Sequence, residues 1–296
     1  MSLISSVGGG KGNNIGKLCL CLLFAYSRQW VIIVYVPATG NESLIVALDV
    51  PTVREALAAV EALDGVVSFF KIGLQLFLTG DLRLLLHELR QKQVFVDLKV
   101  PGDIANTISS VIDLCVTMQV RFLTLSESMP VSAIAVAKAA RNGSENPKLL
   151  TVPFLSSMDG GDLVGTLGTG DVGSVILQRA GAALKAGCDG IIASGQEIRL
   201  CRSNFPDTII VSPAIRPSGT QSDDHKRFTT PKEAILMGSN YLVVGRPILK
   251  SSSPVLMAKE IILEIDQAIS QRNDASAGHS SGPPYRAYSA AAASAI

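Results

Sequence analysis

Between Leu44 and Ile269, short apolar runs alternate with segments whose apolar positions recur at helical spacing. LIVALDV (44–50) is the first such run. It is β-branched and too short for a buried helix, so it predicts a buried strand. TVREALAAVEAL (52–63) follows at helical spacing, with Pro51 just before it and Thr52 suited to the N-cap. The same alternation predicts strands over 67–73, 94–99, 121–125, 148–154, 189–193, 208–212 and 241–245. Helices are predicted over 75–91, 104–117, 130–141, 173–187, 196–203, 231–237 and 253–269. Eight β-then-α units in this length point to the α/β class and a TIM (β/α)8 barrel. A doubly wound open sheet is the alternative, and the unbroken run of units favours the barrel over it. No repeat of fixed period points to a solenoid.

The two ends depart from this pattern. Residues 1–43 read as an atypical extension, rich in Gly, Ser and Asn over 1–15 and strongly apolar over 18–36. That apolar stretch, LCLCLLFAYSRQWVIIVYV, is broken by Ser27, Arg28 and Gln29, which leaves too little to span a bilayer. Lys11 and Lys17 in front give it the look of a secretory signal, but no small-x-small cleavage site follows. A membrane-surface anchor and a reading frame extended upstream of the true start are the competing readings. Residues 44–271 then form the barrel domain. The tail 272–296, RNDASAGHSSGPPYRAYSAAAASAI, is of low complexity and predicts disorder.

In barrels of this kind the chemistry sits at the carboxyl ends of the strands. Those ends carry Asp49, Lys71, Asp97, Lys99, Ser156, Arg216, Gly245 and Arg246. One such charge reads equally well as a rim salt bridge. The whole set on one rim does not, because lone buried charges are costly. The densest stretch is FVDLKVPGDIANT (95–107), where Asp97, Lys99 and Asp103 fall within seven residues. Alternating carboxylates and ammoniums neutralise one another while holding a fixed field. Strand residues two apart share a face, so Asp97 and Lys99 are expected side by side in the barrel mouth. Negative neighbours favour the charged form of a lysine, which suits Lys99 to give up a proton rather than attack as a free amine.

A second constellation suits an anion. VVGRP (243–247) ends the eighth strand, where Gly245 permits close backbone approach and Arg246 supplies a forked donor. SPAIRPSGTQSDDHKR (212–227) follows the seventh strand and adds Arg216 and His225. Loops in these two places often hold a phosphate in barrels. The competing reading is a solvated basic loop.

Other features narrow the field. GTGDVG (168–173) has the form of a dinucleotide fingerprint, but it does not directly follow a strand and lacks the acidic residue further on. It reads as a mobile loop leading into a helix. His87 lies within a predicted helix and reads as structural. A net charge of +1 with scattered basic residues argues against a nucleic-acid partner. Five cysteines without a CxxC pair and three well-separated histidines give no zinc pattern. The odd number of thiols suits a reducing, cytoplasmic compartment. Cys115, Cys188 and Cys201 read as small core residues.

With these residues placed, the chain resembles the orotidine 5′-phosphate decarboxylase family from about Leu44 to Ile269. The resemblance rests on LIVALD, FKIG, DLKVPGDIANT, FLSSM, AIRPSG and YLVVGRP, in that order. It implies a homodimeric barrel with an active site shared across the interface. It also implies conversion of orotidine 5′-monophosphate to UMP and carbon dioxide in pyrimidine biosynthesis, without metal or cofactor. It casts Lys99 as the proton donor to C6 of the pyrimidine, with Asp97 and Asp103 as the carboxylates beside it. Asp103 and Thr107 would reach across the dimer interface. Asp49 and Lys71 would serve the ribose hydroxyls and the charge network. Ser156 stands where the family usually has Thr, and Ser157 would meet the pyrimidine edge. Arg216, His225, Gly245 and Arg246 would grip the phosphate. The chain departs from the family pattern twice. Asp-x-Lys-x-x-x-Asp is one residue longer between Lys99 and Asp103, and His225 stands where Gln is common.

Three rival readings remain at the level of sequence. The first is a Mg²⁺-dependent sugar-phosphate decarboxylase on the same barrel, such as 3-keto-L-gulonate 6-phosphate decarboxylase. Those relatives carry a Glu where this chain has Lys71, and an ammonium there repels a divalent cation. The second is a catalytically inactive nucleotide-binding barrel, suggested by the longer Lys99-to-Asp103 spacing. The third is a membrane-attached binding protein, which rests only on residues 18–36.

Overall fold

The structure, a computed structural model, describes residues 37–168, 170–217 and 228–278. Its first elements are α1 (Gly40–Ser43), β1 (Leu44–Ala47), α2 (Val53–Ala62), β2 (Phe69–Gly73), α3 (Leu74–Phe77) and α4 (Leu82–Glu88). Then come β3 (Gln93–Val100), α5 (Ala105–Thr117), β4 (Phe122–Leu125), α6 (Val131–Ala140) and β5 (Lys148–Thr151). They are followed by α7 (Gly160–Leu167), α8 (Val172–Ala186), β6 (Gly190–Ile192), α9 (Glu197–Asn204) and β7 (Ile209–Ser212). The last are α10 (Pro231–Met237), β8 (Tyr241–Val244), α11 (Arg246–Leu249) and α12 (Pro254–Gly278). The strands run parallel in chain order, and β8 pairs back onto β1 to close the ring. This is the (β/α)8 barrel that the alternation predicts.

Strand alternation divides the core into two shells. Leu44 and Val46 point outward to the helices, whereas Ile45 and Ala47 point into the barrel. The inner shell is filled by Phe69, Phe95, Phe122 and Tyr241, all at 1% exposure or less. Their rings meet edge-on or tilted, with centroids 4.9 Å apart for Phe122–Tyr241 and 5.2 Å for Phe69–Phe122. Such pairs add about 0.5–1.5 kcal/mol each beyond the burial of their surface. The barrel is therefore plugged by aromatic side chains below the mouth, and any ligand must sit on top of that plug.

Local chemistry explains where several helices begin. Thr52 caps α2 through a capping box with Glu55, and Thr230 caps α10 through another with Glu233, followed by Pro231 at the first helical position. The helix predicted over 75–91 is two helices, because Gly80 takes φ +85° between α3 and α4. Helix α7 is absent from the sequence-based expectation. Its GGDLVGTL sequence is glycine-rich, yet Asp159 and Asp162 form a capping box at its start. GTGDVG then connects two helices: Gly168 caps the end of α7 in a left-handed conformation, and Asp171 caps the start of α8.

The barrel body also reaches beyond its expected limits. Gly40 N–H donates to Asp266 Oδ1 at 2.7 Å, which ties α1 to α12 ahead of the boundary at Leu44. Helix α12 continues to Gly278, past the expected boundary at 271. The apolar stretch 18–36 lies outside the described residues. Among the described residues, no helix is long and apolar enough to cross a membrane.

Candidate active site

A cavity of about 260 Å³ opens at the carboxyl ends of the strands, with Ala47, Phe95 and Val243 from the inner shell among its lining. Asp49 follows β1, Lys71 lies on β2, and Asp97 and Lys99 lie on β3. Ser156 follows β5, Ser194 follows β6, Arg216 follows β7, and Gly245 and Arg246 follow β8.

The charged side chains form a chain of contacts. Lys71 Nζ donates to Asp49 Oδ1 at 3.0 Å and lies 3.4 Å from Asp97 Oδ2. The other oxygen of Asp97, Oδ1, accepts from Lys99 Nζ at 2.9 Å and from the Thr124 hydroxyl at 2.9 Å. Exposure rises along this series. The Lys71 side chain is 10% exposed and that of Asp97 16%, whereas that of Lys99 is 40% exposed. Lys99 is thus the ammonium that a ligand in the cavity meets most readily.

Burial works against the charge on Lys71, but the Asp97 and Asp49 carboxylates outweigh it and raise its ammonium above the ordinary lysine value. Burial likewise favours the neutral form of Asp97, and Lys71 and Lys99 overcome it, holding the carboxyl below the usual range. Lys71 and Asp97 therefore form a fixed ion pair at the base of the site. Around the cavity as a whole, four cationic side chains (Lys71, Lys99, Arg216, Arg246) face two carboxylates (Asp49, Asp97). That balance suits an anionic ligand.

The ring places the two halves of this site apart. β3 and β7 lie four places from each other in a closed ring of eight strands, so Lys99 and Arg216 stand on opposite walls. Arg216 is buried at the base of its loop, whose two ends are clipped by a bridge between Ile215 and Thr229. Gly245 lies where a Cβ would meet Ala47 Cβ at 3.3 Å and Asp49 Oδ2 at 3.6 Å, so the absence of a side chain keeps this corner open.

Not every expected residue converges on the cavity. Asp49, Lys71, Asp97, Lys99, Ser156, Arg216, Gly245 and Arg246 do. Asp103 and Thr107 are exposed outside it, and Ser157 is exposed beside Ser156. The Asp103 carboxylate accepts from the following backbone N–H, that of Ile104, at 2.6 Å. Gly102 is pressed against the ring of Pro130, so the longer turn is held close to the start of α6. His225 lies outside the described residues. His87 is exposed on α4, away from this cavity. Cys115, Cys188 and Cys201 are free and buried, and burial pushes each thiol up to about 12.

Sequence reasoning missed Thr124 and Ser194. Thr124 is 1% exposed, the polar member of the strand FLTL. A hydroxyl inside an apolar strand was the available signal, since such a group requires a partner. Ser194 ends the apolar run before α9 and is 4% exposed.

Comparison with known proteins bears on the family and the fold. Residues 42–261 match the family model described as Orotidine 5′-phosphate decarboxylase / HUMPS family. The chain is 38% identical over 233 residues to the orotidine 5′-phosphate decarboxylase of Jannaschia sp. (strain CCS1), covering 76% of this chain and 99% of that protein. It is 40% identical over 222 residues to the enzyme of that name from Methylococcus capsulatus, covering 74% and 89%. Among solved structures, the orotidine 5′-phosphate decarboxylase from Lactobacillus acidophilus superimposes with a TM-score of 0.64 at 28% identity, covering 76% of this chain and 99% of that one. The barrel, the charged residues at its strand ends and these matches together place the chain in the orotidine 5′-phosphate decarboxylase / HUMPS family.

Proposed function

We propose that this chain is a carboxy-lyase that converts orotidine 5′-monophosphate to uridine 5′-monophosphate and carbon dioxide, in pyrimidine biosynthesis. The observation that carries this reading is the Asp49–Lys71–Asp97–Lys99 array, with Lys99 at its open end in the cavity. In the reaction the bond between C6 and the carboxylate carbon breaks, carbon dioxide leaves, and the electron pair stays on C6. The Lys99 ammonium stabilises that developing charge, transfers a proton to C6 and regains one from water. Asp97 holds Lys99 in place, and its negative charge faces the substrate carboxylate. Asp49 and Lys71 serve the ribose hydroxyls and the network. Ser156 and Ser157 serve the substrate, Ser157 at the pyrimidine edge, and His225 is read as a further phosphate donor, while Arg216, Gly245 and Arg246 grip the phosphate on the far wall. Binding energy gathered there, remote from C6, assembles the site around the reacting carbon.

The reading includes a homodimer, in which Asp103 and Thr107 complete the partner's site. Its support is that these residues are exposed and lie outside the cavity of their own chain. They are accompanied by exposed apolar side chains after three neighbouring strands: Leu74, Phe77 and Leu78 after β2, Ile104 after β3 and Val131 after β4. The cytoplasm is the proposed compartment, in keeping with the free buried thiols. A Mg²⁺-dependent relative is disfavoured because the Lys71 ammonium already neutralises Asp49 and Asp97 from between them.

The test is turnover of orotidine 5′-monophosphate by the full-length chain in EDTA, read by absorbance, beside Lys99→Ala. The wild type should form UMP undiminished by the chelator. Lys99→Ala should lose at least about 10³-fold in kcat while still binding UMP. Turnover retained by the alanine variant would refute the proton-donor role, and Mg²⁺-dependent activity would redirect the reading to the sugar-phosphate branch.

A further inference from the structure

The two catalytic candidates on β3 do not sit in a regular strand. Val96 pairs with Leu123 on β4 and Val100 with Leu125, so Asp97, Leu98 and Lys99 bulge opposite the single residue Thr124. Bulges re-aim side chains and leave ladder groups without their usual partners. Lys99 takes φ +50°, a left-handed conformation that few residues other than glycine adopt. Something must hold this segment, and the Thr124 side chain is placed to do so. Its oxygen accepts from the Lys99 backbone N–H at 2.9 Å, and its hydroxyl donates to Asp97 Oδ1 at 2.9 Å. That carboxylate oxygen also receives the Lys99 ammonium. One hydroxyl thus closes a loop through the backbone and the side chain of the same lysine. The Thr124 residue is 1% exposed, so water does not substitute for it.

We propose that Thr124 is a positioning residue for the decarboxylation, its hydroxyl holding the Asp97 carboxylate and the strained Lys99 backbone in one register. This deepens the function proposed above and rests on it. The hydroxyl takes the place of the ladder bonds that the bulge removes, and it fixes where the Lys99 ammonium points. It also assists ionisation of Asp97. Burial opposes that ionisation, Lys71 and Lys99 drive it, and the Thr124 hydrogen bond adds to them.

The test compares Thr124→Ser with Thr124→Ala in the full-length chain. Both lack the methyl group and they differ in the hydroxyl alone. Thr124→Ser should stay within about threefold of the wild-type kcat, whereas Thr124→Ala should lose about 10²-fold in kcat with KM little changed. The acid limb of kcat/KM should move to higher pH in the alanine variant and not in the serine variant. A ¹³C NMR titration of the Asp97 carboxyl should move the same way, and amide exchange at Lys99 should accelerate. Should Thr124→Ala not fold, Thr124→Val, which keeps the volume, takes its place. An equal loss in serine and alanine variants with an unmoved acid limb overturns the proposal in favour of methyl packing. A hydroxyl-free variant with full kcat overturns it as well. A wild-type chain that does not turn over orotidine 5′-monophosphate would sink the function instead. The Asp97 titration and Lys99 exchange, which need no turnover, then decide on Thr124, and no change in either overturns it.

Discussion

At the residue scale, Lys71 carries the electrostatics of the site without being its most accessible lysine. It sits between Asp49 and Asp97, and its own charge is stabilised by both. The sign of its pH effect follows from the direction of each shift. The Asp97 carboxyl is lowered, so its contribution to stability is present above the ordinary value near pH ~4 and fades as pH falls through the lower folded value. The Lys71 ammonium is raised, so its contribution is full below the ordinary value near ~10.4 and fades as pH rises through the higher folded value. Lys71→Met removes the cation and leaves a buried carboxylate under-compensated, a change that costs about 3–5 kcal/mol in comparable pairs. The variant should therefore unfold at lower urea concentration at neutral pH. The deficit should shrink as pH falls, because protonation of Asp97 removes the uncompensated charge. A deficit constant from pH 7 to acid would show that packing of the lysine stem, not its charge, is at stake.

At the element scale, the barrel depends on close approach where strands carry no side chain. Gly190 on β6 lies between β5 and β7, and a Cβ there would meet Leu150 Cδ2 at 2.6 Å and Ile209 O at 2.7 Å. One of those atoms is backbone, so the neighbour cannot rotate away. Gly190→Ala should destabilise the chain by about 1–3 kcal/mol through overpacking, read as a lower thermal midpoint. An unchanged midpoint would mean that β6 shifts freely within the ring. Element boundaries also show how sequence patterns mislead. The helix expected over 75–91 has continuous apolar periodicity, yet Gly80 interrupts it. GGDLVGTL lacks the composition of a helix, yet the Asp159–Asp162 box starts one. In both places a capping or turn residue outweighed the periodic pattern.

At the scale of the whole molecule, the proposed dimer predicts that assembly and activity fail together. Ile104 is 69% exposed, next to Asp103 at the start of α5. Ile104→Asp places a charge in the apolar set after β2, β3 and β4 and should weaken self-association by at least about 10-fold. Sedimentation velocity should then show the wild type as a dimer and the variant shifted toward monomer. Turnover should fall with the dimer fraction, because in the proposed dimer Asp103 and Thr107 would serve the opposite site. A monomeric variant with full activity would mean that each chain completes its own site.

Much of this was legible in the chain itself. The alternation of apolar runs and helical stretches determined the barrel, because strands and helices have different side-chain periods and eight repeats close in only one common way. The charges at strand ends determined most of the site, because a lone charge there is too costly to keep without a partner or a task. What the tertiary structure decided is how those charges meet. Simple alternation expects Asp97 and Lys99 side by side on a flat strand face. They do meet, but through a bulge with Lys99 at positive φ and Thr124 filling the gap. That arrangement depends on the register between β3 and β4, two segments separated in sequence. No local pattern specifies such a register, because it is set by packing around the whole ring.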